Sequence, residues 1–261
     1  MNGLTEISLW QLAFGLVFVL AAGAASLARG LGLGRDLFFG TVRTFIQLFL
    51  LGYVLVFIFR SGQLAYVAAF YCMMIFFAVR IIRGRVKEKD VHFALPVFFT
   101  MFLSYIVVSA TVTGVIVGAT PWWRPEAFLP LAGMVVGNSM NALAITLERL
   151  FSDLRSRRDE VEMMLCLGAT DREASKEIVS SAVRAGMIPS INSMMGVGVV
   201  FIPGMASGQI LAGADPVMAV RYQIVVMLML VGSTALGSFL TAHFIARRCF
   251  GKGMRLAFKG R

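Results

Sequence analysis

Residues that bind metals or form disulfides are scarce in this sequence, with two His and three Cys among 261 residues. Cys72, Cys166 and Cys249 lie far apart, so their spacing fits neither a disulfide framework nor a thiolate metal site. His92 and His243 are isolated, which argues against metal-dependent hydrolysis and against a His-based proton relay. The phosphate-binding motif GxxxxGK(S/T) is also missing. The chain itself is therefore expected to be neither an enzyme nor a cofactor-binding protein.

Charged residues are also few: they make up 15% of the chain, against roughly 25% in soluble proteins. Apolar residues make up 58%, and the mean hydropathy is +0.81. The apolar residues are concentrated in stretches of about 20, the length that crosses a hydrocarbon layer of about 30 Å. The sequence thus predicts an all-α integral membrane protein, one domain over residues 1–261, with about seven transmembrane helices. The predicted spans are 7–28, 37–59, 63–82, 96–118, 127–147, 188–213 and 218–246. Glu6, and no basic region, precedes the first span, so a cleaved signal peptide is not expected.

The distribution of basic residues predicts the orientation. Only Arg60, Arg124 and Arg221, of the 24 Lys and Arg residues, fall on connections at one membrane face. The positive-inside rule then places the N-terminus outside and the C-terminus in the cytoplasm of a plasma (inner) membrane. Contact with anionic lipid accounts for the high pI of 10.2. Nucleic-acid binding is not expected, because it requires a basic soluble module.

One stretch, residues 148–189, is charged and lies between apolar spans. Gly168 suits the left-handed residue that ends a helix. Thr170 and Glu173 then fit the capping box S/T-x-x-E that begins the next helix. The stretch is therefore predicted to form two short helices joined at a glycine elbow on the cytoplasmic face, where a soluble partner could push on it. Gly186 lies outside this elbow, so its replacement by alanine is not expected to loosen docking of that partner.

Two segments place polar residues at membrane depth. In the fifth predicted span, Gly133, Gly137 and Asn141 lie on nearly one helical stripe, with Asn138 beside it. This pattern is compatible with a close helix–helix contact and with the lining of a translocation path, and the sequence leaves both open.

The sixth predicted span contains Asn192, Pro203 and Gln209 together with Gly196, Gly198, Gly204 and Gly208. Proline and glycine weaken a helix, and a broken backbone at membrane depth is tolerated where it packs in protein or lines a cavity. A packed kink and a site for a cation or polar solute both remain possible. The methionines of this segment are not assigned to a metal, because 16 Met in an apolar chain make chance placement common.

The charged stretch resembles the EAA-type coupling loop of ABC-transporter permeases, with Glu162 at the glutamate position, Gly168 at the elbow and Ile178 at the isoleucine. Two further motifs, GMVVGNSMNALAITLERL (133–150) and IPGMASGQILAGADPVMAVRYQI (202–224), are similar to the FetB/YbbM family of ABC permeases, which has plant aluminium-tolerance relatives. The resemblance covers nearly the whole chain. It implies a permease, expected as a homodimer, paired with a separate cytoplasmic ATPase that binds ATP-Mg, and iron export in bacterial members.

The residues expected to matter form two groups. Coupling to the ATPase is assigned to Glu162, Gly168, Thr170 and Glu173, and the translocation path to Asn138, Asn141, Asn192, Pro203 and Gln209. Two alternatives stay open, namely a secondary carrier or channel that uses no ATPase, and ABC transport of another solute such as a nucleotide sugar.

Overall fold

The computed structural model of the protein describes residues 8–88, 91–251 and 256. The described part of the chain is helical, with two isolated β-bridges and no β-strand. This confirms the predicted all-α class. A π-helical turn, Val112–Ile116, extends α5. The α-helices are α1 (Leu9–Phe14), α2 (Leu16–Ala28), α3 (Gly34–Ser61), α4 (Leu64–Arg85), α5 (Ala94–Thr111), α6 (Pro125–Ser156), α7 (Arg158–Cys166), α8 (Asp171–Gly196), α9 (Gly204–Leu211) and α10 (Pro216–Arg248).

Local sequence determines where several helices begin and end. α10 begins with Pro216 in its first turn, where the missing N–H needs no partner. Asp215 caps that turn, because its Oδ1 accepts a hydrogen bond from the Met218 N–H at 2.9 Å. α3 ends at Gly62, which has a φ of 57° and donates to the Ile58 carbonyl. Gly62 and Gln63 are the two residues between α3 and α4.

Among the residues that the structure describes, six helical segments are long and apolar enough to cross a membrane. α6 is the central one: 56% of its most apolar window is buried, and α4, α5, α8 and α10 pack around it. The α2–α3 pair lies at the periphery, with only 6% of each window buried. The exposed apolar surface of these outer helices is suited to lipid.

The span predicted at 188–213 is not one helix. α8 ends at Gly196, the chain then runs through a turn with Gly198 at a φ of 82°, and α9 begins after Pro203. The predicted break in the backbone is therefore confirmed. α8 still lies along α6 at the depth of the bundle, because Gly186 meets Ala142 and Thr146.

The close contact between helices occurs at a different glycine from those of the predicted stripe. A Cβ added at Gly186 would lie 1.9 Å from the Thr146 Oγ1 atom and 2.8 Å from the Ala142 carbonyl oxygen. Gly137 is exposed and has nothing within 4 Å of its added Cβ. An alanine at Gly186 would therefore clash with α6, because α8 and α6 touch there. The predicted Gly133–Gly137–Asn141 stripe faces away from its own chain over Gly137 and Asn141.

Candidate functional site

The predicted elbow has the geometry of a Schellman motif at the end of α7. Gly168 has a φ of 92°, in the left-handed region that favours glycine. Its N–H donates to the Leu165 carbonyl at 3.1 Å, and the Ala169 N–H donates to the Met164 carbonyl at 3.0 Å. The chain therefore reverses direction within a few residues, and a side chain at Gly168 would be strained.

The capping box that begins α8 is also formed. The Thr170 Oγ1 atom accepts from the Glu173 N–H at 3.3 Å, and the Glu173 carboxylate accepts from the Thr170 N–H at 2.8 Å. The carboxylate accepts a second bond from the Thr170 hydroxyl. These bonds favour the charged form, so the pKa of Glu173 lies below its usual value of 4.5.

Ion pairs fix α7 against α8. Arg157 donates to Glu160 on α7 and to Glu177 on α8, the second at 3.2 Å. Its charge lowers the pKa of Glu160. Glu162 accepts from the Arg158 Nε atom at 2.8 Å, along the exposed side of α7. The two helices thus form a small hairpin at the end of α6.

Apolar side chains are exposed where α7 turns into α8. Met163 is 58% exposed and Leu167 81% exposed, next to the exposed thiol of Cys166. Val161 and Ile178, by contrast, belong to the buried core. Exposed apolar groups on an otherwise charged surface are typical of a site that binds another protein.

The extent of the segment differs from the prediction. Residues 148–156 are the last turns of α6, and α8 runs for 26 residues through Pro189 to Gly196. The second helix is therefore long, and residue 189 is not a boundary. Inside a packed helix a proline such as Pro189 removes one backbone hydrogen bond and can be accommodated.

A cavity of about 300 Å³ lies at the break after α8. α6, α8, α10 and the segment before α9 all contribute to its wall. The Oε1 atom of Gln223, a side chain that is only 6% exposed, has no hydrogen-bond partner among the described residues. The lining includes Met134, Asn138, Ser190, Ser193, Pro203, Met205, Gln223 and Met227. The cavity is therefore uncharged and offers oxygen and thioether donors.

The structure brings two of the five predicted path residues to this cavity. Asn138 lines it, with its amide bonded to the Met134 carbonyl at 3.1 Å, and Pro203 lines it as the residue that caps α9. Asn141 instead accepts from the Arg85 Nη1 atom at 2.7 Å, at the end of α4. Asn192 is exposed on α8 and does not line the cavity. Gln209 lies on α9 away from it, with its Oε1 atom buried and unpartnered among the described residues.

Gln223 was missed by the sequence analysis. It lies in the predicted span 218–246, where a deep amide is itself a signal, because polar groups in a membrane face the protein interior. Met134 and Met227 also line the cavity, but an apolar side chain in an apolar span does not stand out in the sequence. Within the described residues, no group of three or more His, Cys, Asp or Glu side chains could hold a metal ion. A cation in this cavity would thus be bound by neutral donors.

Comparison with known proteins assigns the chain to a family. The model of the family described as "Uncharacterised protein family (UPF0014)" matches residues 9–250. The chain belongs to this family. It is 32% identical to the UPF0014 membrane protein YjkA of Bacillus subtilis, over 87% of this chain and 89% of the relative.

Two other relatives have more informative names. The probable iron export permease protein FetB of Escherichia coli is 31% identical, over 92% of this chain and 91% of its own length. The protein ALUMINUM SENSITIVE 3 of Arabidopsis thaliana is 30% identical, over 92% of this chain and 87% of its own length. No solved structure matches the chain. The protein is a multi-pass membrane protein of a family with a probable permease among its members.

Proposed function

We propose that the chain is the membrane permease subunit of an ABC transporter, driven by a separate cytoplasmic ATPase that docks on the α7–α8 elbow. The observation that carries the proposal is the continuity of α8. This single helix begins at the elbow and ends at the break beside the cavity, 26 residues later. At 1.5 Å per residue it covers about 39 Å. A displacement of the elbow would therefore be transmitted directly to the cavity wall.

The surface of the elbow supports an ATPase as the partner. Met163 and Leu167 present apolar groups, and the ion pair of Glu162 with Arg158 places charges of both signs beside them. An apolar centre with a charged rim is the usual composition of a protein–protein interface. In this proposal Glu162, Gly168, Thr170 and Glu173 shape the docked surface, and ATP-Mg is bound by the partner.

The exposed stripe on α6 supports a homodimer. Asn138 is exposed on a single chain, although it lies in a helix that crosses the membrane. Gln47 on α3 is also exposed at membrane depth. Amides in hydrocarbon are unfavourable unless another protein surface or a water-filled path satisfies them. A second copy of the chain facing α6 would satisfy them and would enclose a path between the copies.

The proposed cargo is a metal ion, iron, moving outward across the inner membrane. One relative is named as a probable iron export permease, and the cavity at the break provides oxygen and sulfur donors without a fixed charge. The clustering of basic residues places the elbow in the cytoplasm and the N-terminus outside. Neutral, weak donors suit a site from which the ion must leave again.

The proposal is tested by co-expressing the chain with its candidate ATPase and by measuring ATP-driven accumulation of radiolabelled iron in inverted vesicles. Leu167→Asp is expected to reduce capture of the ATPase by about tenfold, since a well-buried leucine at an interface contributes about 1.5 kcal/mol or more. Leu31→Asp is the matched control, because Leu31 is also exposed and lies in the α2–α3 connection. Iron transport that proceeds without any ATPase would instead identify a secondary carrier.

A further inference from the structure

A second, larger cavity lies between α8 and α10, away from the break. Its volume is about 670 Å³, and it is an open groove along the first turns of α8 and the last turns of α10. Basic residues line one end of it: Arg172 and Lys176 on α8, and Arg247 on α10. Arg184 contributes a fourth positive charge further along α8.

The positive charge of the groove is not neutralised by the chain. Within the described residues, none of the four basic side chains forms an ion pair with a carboxylate. Glu173, the one acid in the lining, is engaged by the Thr170 N–H and hydroxyl in the capping box. Glu177, on the same helix, accepts from Arg157. The groove therefore attracts an anion.

The other end of the groove is apolar. Val179 and Val183 on α8 and Phe239 on α10 line it, and the Phe239 ring stacks on His243 with centroids 6.0 Å apart. α8 starts at the elbow and packs along α6 and α10, two candidate membrane spans, so Val183, with Arg184 beside it, and Phe239 lie deeper than Arg172 and Arg247. An anion that fills this groove would have a charged head and an apolar body.

The depth of the groove matches the level of lipid headgroups. Gly186, just beyond its deep end, lies against Thr146 of α6. Asn141, slightly more than one turn further into the membrane along α6, is within reach of Arg85 at the basic end of α4. The apolar end therefore lies near the hydrocarbon boundary, and Arg172 and Arg247 lie on the aqueous side of the basic membrane face.

We infer that this groove binds an anionic phospholipid, with the phosphate held by Lys176 and Arg247 and the start of an acyl chain resting on Val183 and Phe239. Basic grooves between transmembrane helices on the face that carries the positive charges are the usual sites for such lipids. The lipid would brace α8 against α10. This inference requires membrane insertion alone and does not depend on the proposed transport.

The experiment is native mass spectrometry of the purified full chain in detergent, titrated with phosphatidylglycerol and, separately, with phosphatidylcholine. The test variant is Lys176→Gln combined with Arg247→Gln. Each basic side chain near an anionic lipid contributes roughly fivefold, so phosphatidylglycerol binding should weaken by about thirtyfold. The matched control is Arg29→Gln combined with Arg80→Gln, two exposed basic residues outside the groove. The phosphatidylglycerol affinity of the control variant should fall by about threefold or less.

A third variant separates the shape of the groove from its charge. Val183→Trp fills the apolar end and leaves every charge in place, so it should weaken phosphatidylglycerol binding by about tenfold or more. Equal losses of phosphatidylglycerol affinity in the groove and control double variants would mean that the lipid is attracted by surface charge in general, which would overturn the site. Full displacement of the lipid by inorganic phosphate would show that the groove takes a free anion. Unchanged lipid binding in the groove double variant, with lost capture of the ATPase, would assign the groove to a protein partner.

Discussion

Replacing Gly186 by alanine should disturb the contact between α8 and α6. The added Cβ would lie 1.9 Å from the Thr146 Oγ1 atom, where ordinary contact begins at 3.4 Å, so the two groups must separate by about 1.5 Å. Thr146 cannot easily turn away, because it is fully buried and its hydroxyl donates to the Ala142 carbonyl at 2.9 Å. That same carbonyl would lie 2.8 Å from the new Cβ, and a backbone group can move only with its helix.

The expected magnitude follows from two opposing terms. Overpacking costs about 3 kcal/mol, the upper end of the usual range, because a backbone group is involved. Alanine returns about 1 kcal/mol over glycine in a helix interior. Gly186→Ala should thus lower the free energy of unfolding by about 2 kcal/mol and the Tm by about 6 °C. Gly232→Ala, on α10 with nothing within 4 Å, should be neutral or gain up to about 1 kcal/mol.

The assay is thermal unfolding of the purified chain in detergent, followed by circular dichroism. Thr146→Ala removes the nearest clashing atom and leaves the Ala142 carbonyl, so the double variant with Gly186→Ala should recover part of the lost stability. The reasoning fails if Gly186→Ala melts at or above Gly232→Ala, or if Thr146→Ala and Gly186→Ala are simply additive.

Gly168→Val places a β-branched residue at a φ of 92°, which costs about 1–2 kcal/mol of strain. The variant should therefore capture less ATPase than the wild type in a pull-down titration. Equal ATPase affinity of the variant and the wild type would count against the elbow. Glu162→Lys should uncouple ATP hydrolysis from transport in reconstituted vesicles. Asp159→Lys is the control, because Asp159 lies on the same helix and has no ion pair among the described residues. Full transport by Glu162→Lys would show that Glu162 is not part of the coupling surface. The capping box should be pH-dependent: the lowered pKa of Glu173 means that its stabilising contribution is present above about pH 4.5 and is lost as the pH falls through the lowered pKa. Thr170→Ala should raise that pKa toward its usual value in an NMR titration of the carboxyl carbon, and an unchanged pKa would contradict the assignment.

The elements that the sequence predicts well are those whose cause is local. Gly168 and the Thr170–Glu173 box are confirmed because a left-handed residue and a cap depend on a few neighbouring atoms. The break before Pro203 is confirmed for the same reason. Apolar length likewise identifies the predicted membrane spans other than 188–213, which is two helices separated by a turn.

Features that depend on which helix faces which could not be predicted. The glycines at 133 and 137 have the spacing of a close contact, yet the contact forms at Gly186, which has the small residue Ala182 four positions before it. Small residues permit helices to approach, but only the packing of the other helices decides the face. Gln223 reaches the cavity for the same reason, because α10 turns that side inward.

The position of Gly186 along α8 bears on how the elbow and the cavity could communicate. It lies 15 residues from the start of α8 and 10 residues from its end, at about 22 Å and 15 Å by helical rise. Because α8 contributes no side chain at this contact, a tilt of α8 about Gly186 would move both ends with little change in the contact itself. A displacement of the elbow would then produce an opposite displacement at the cavity, smaller by the ratio of those two lengths. Overpacking at Gly186 would impair this movement even in a chain that still folds and still captures its ATPase.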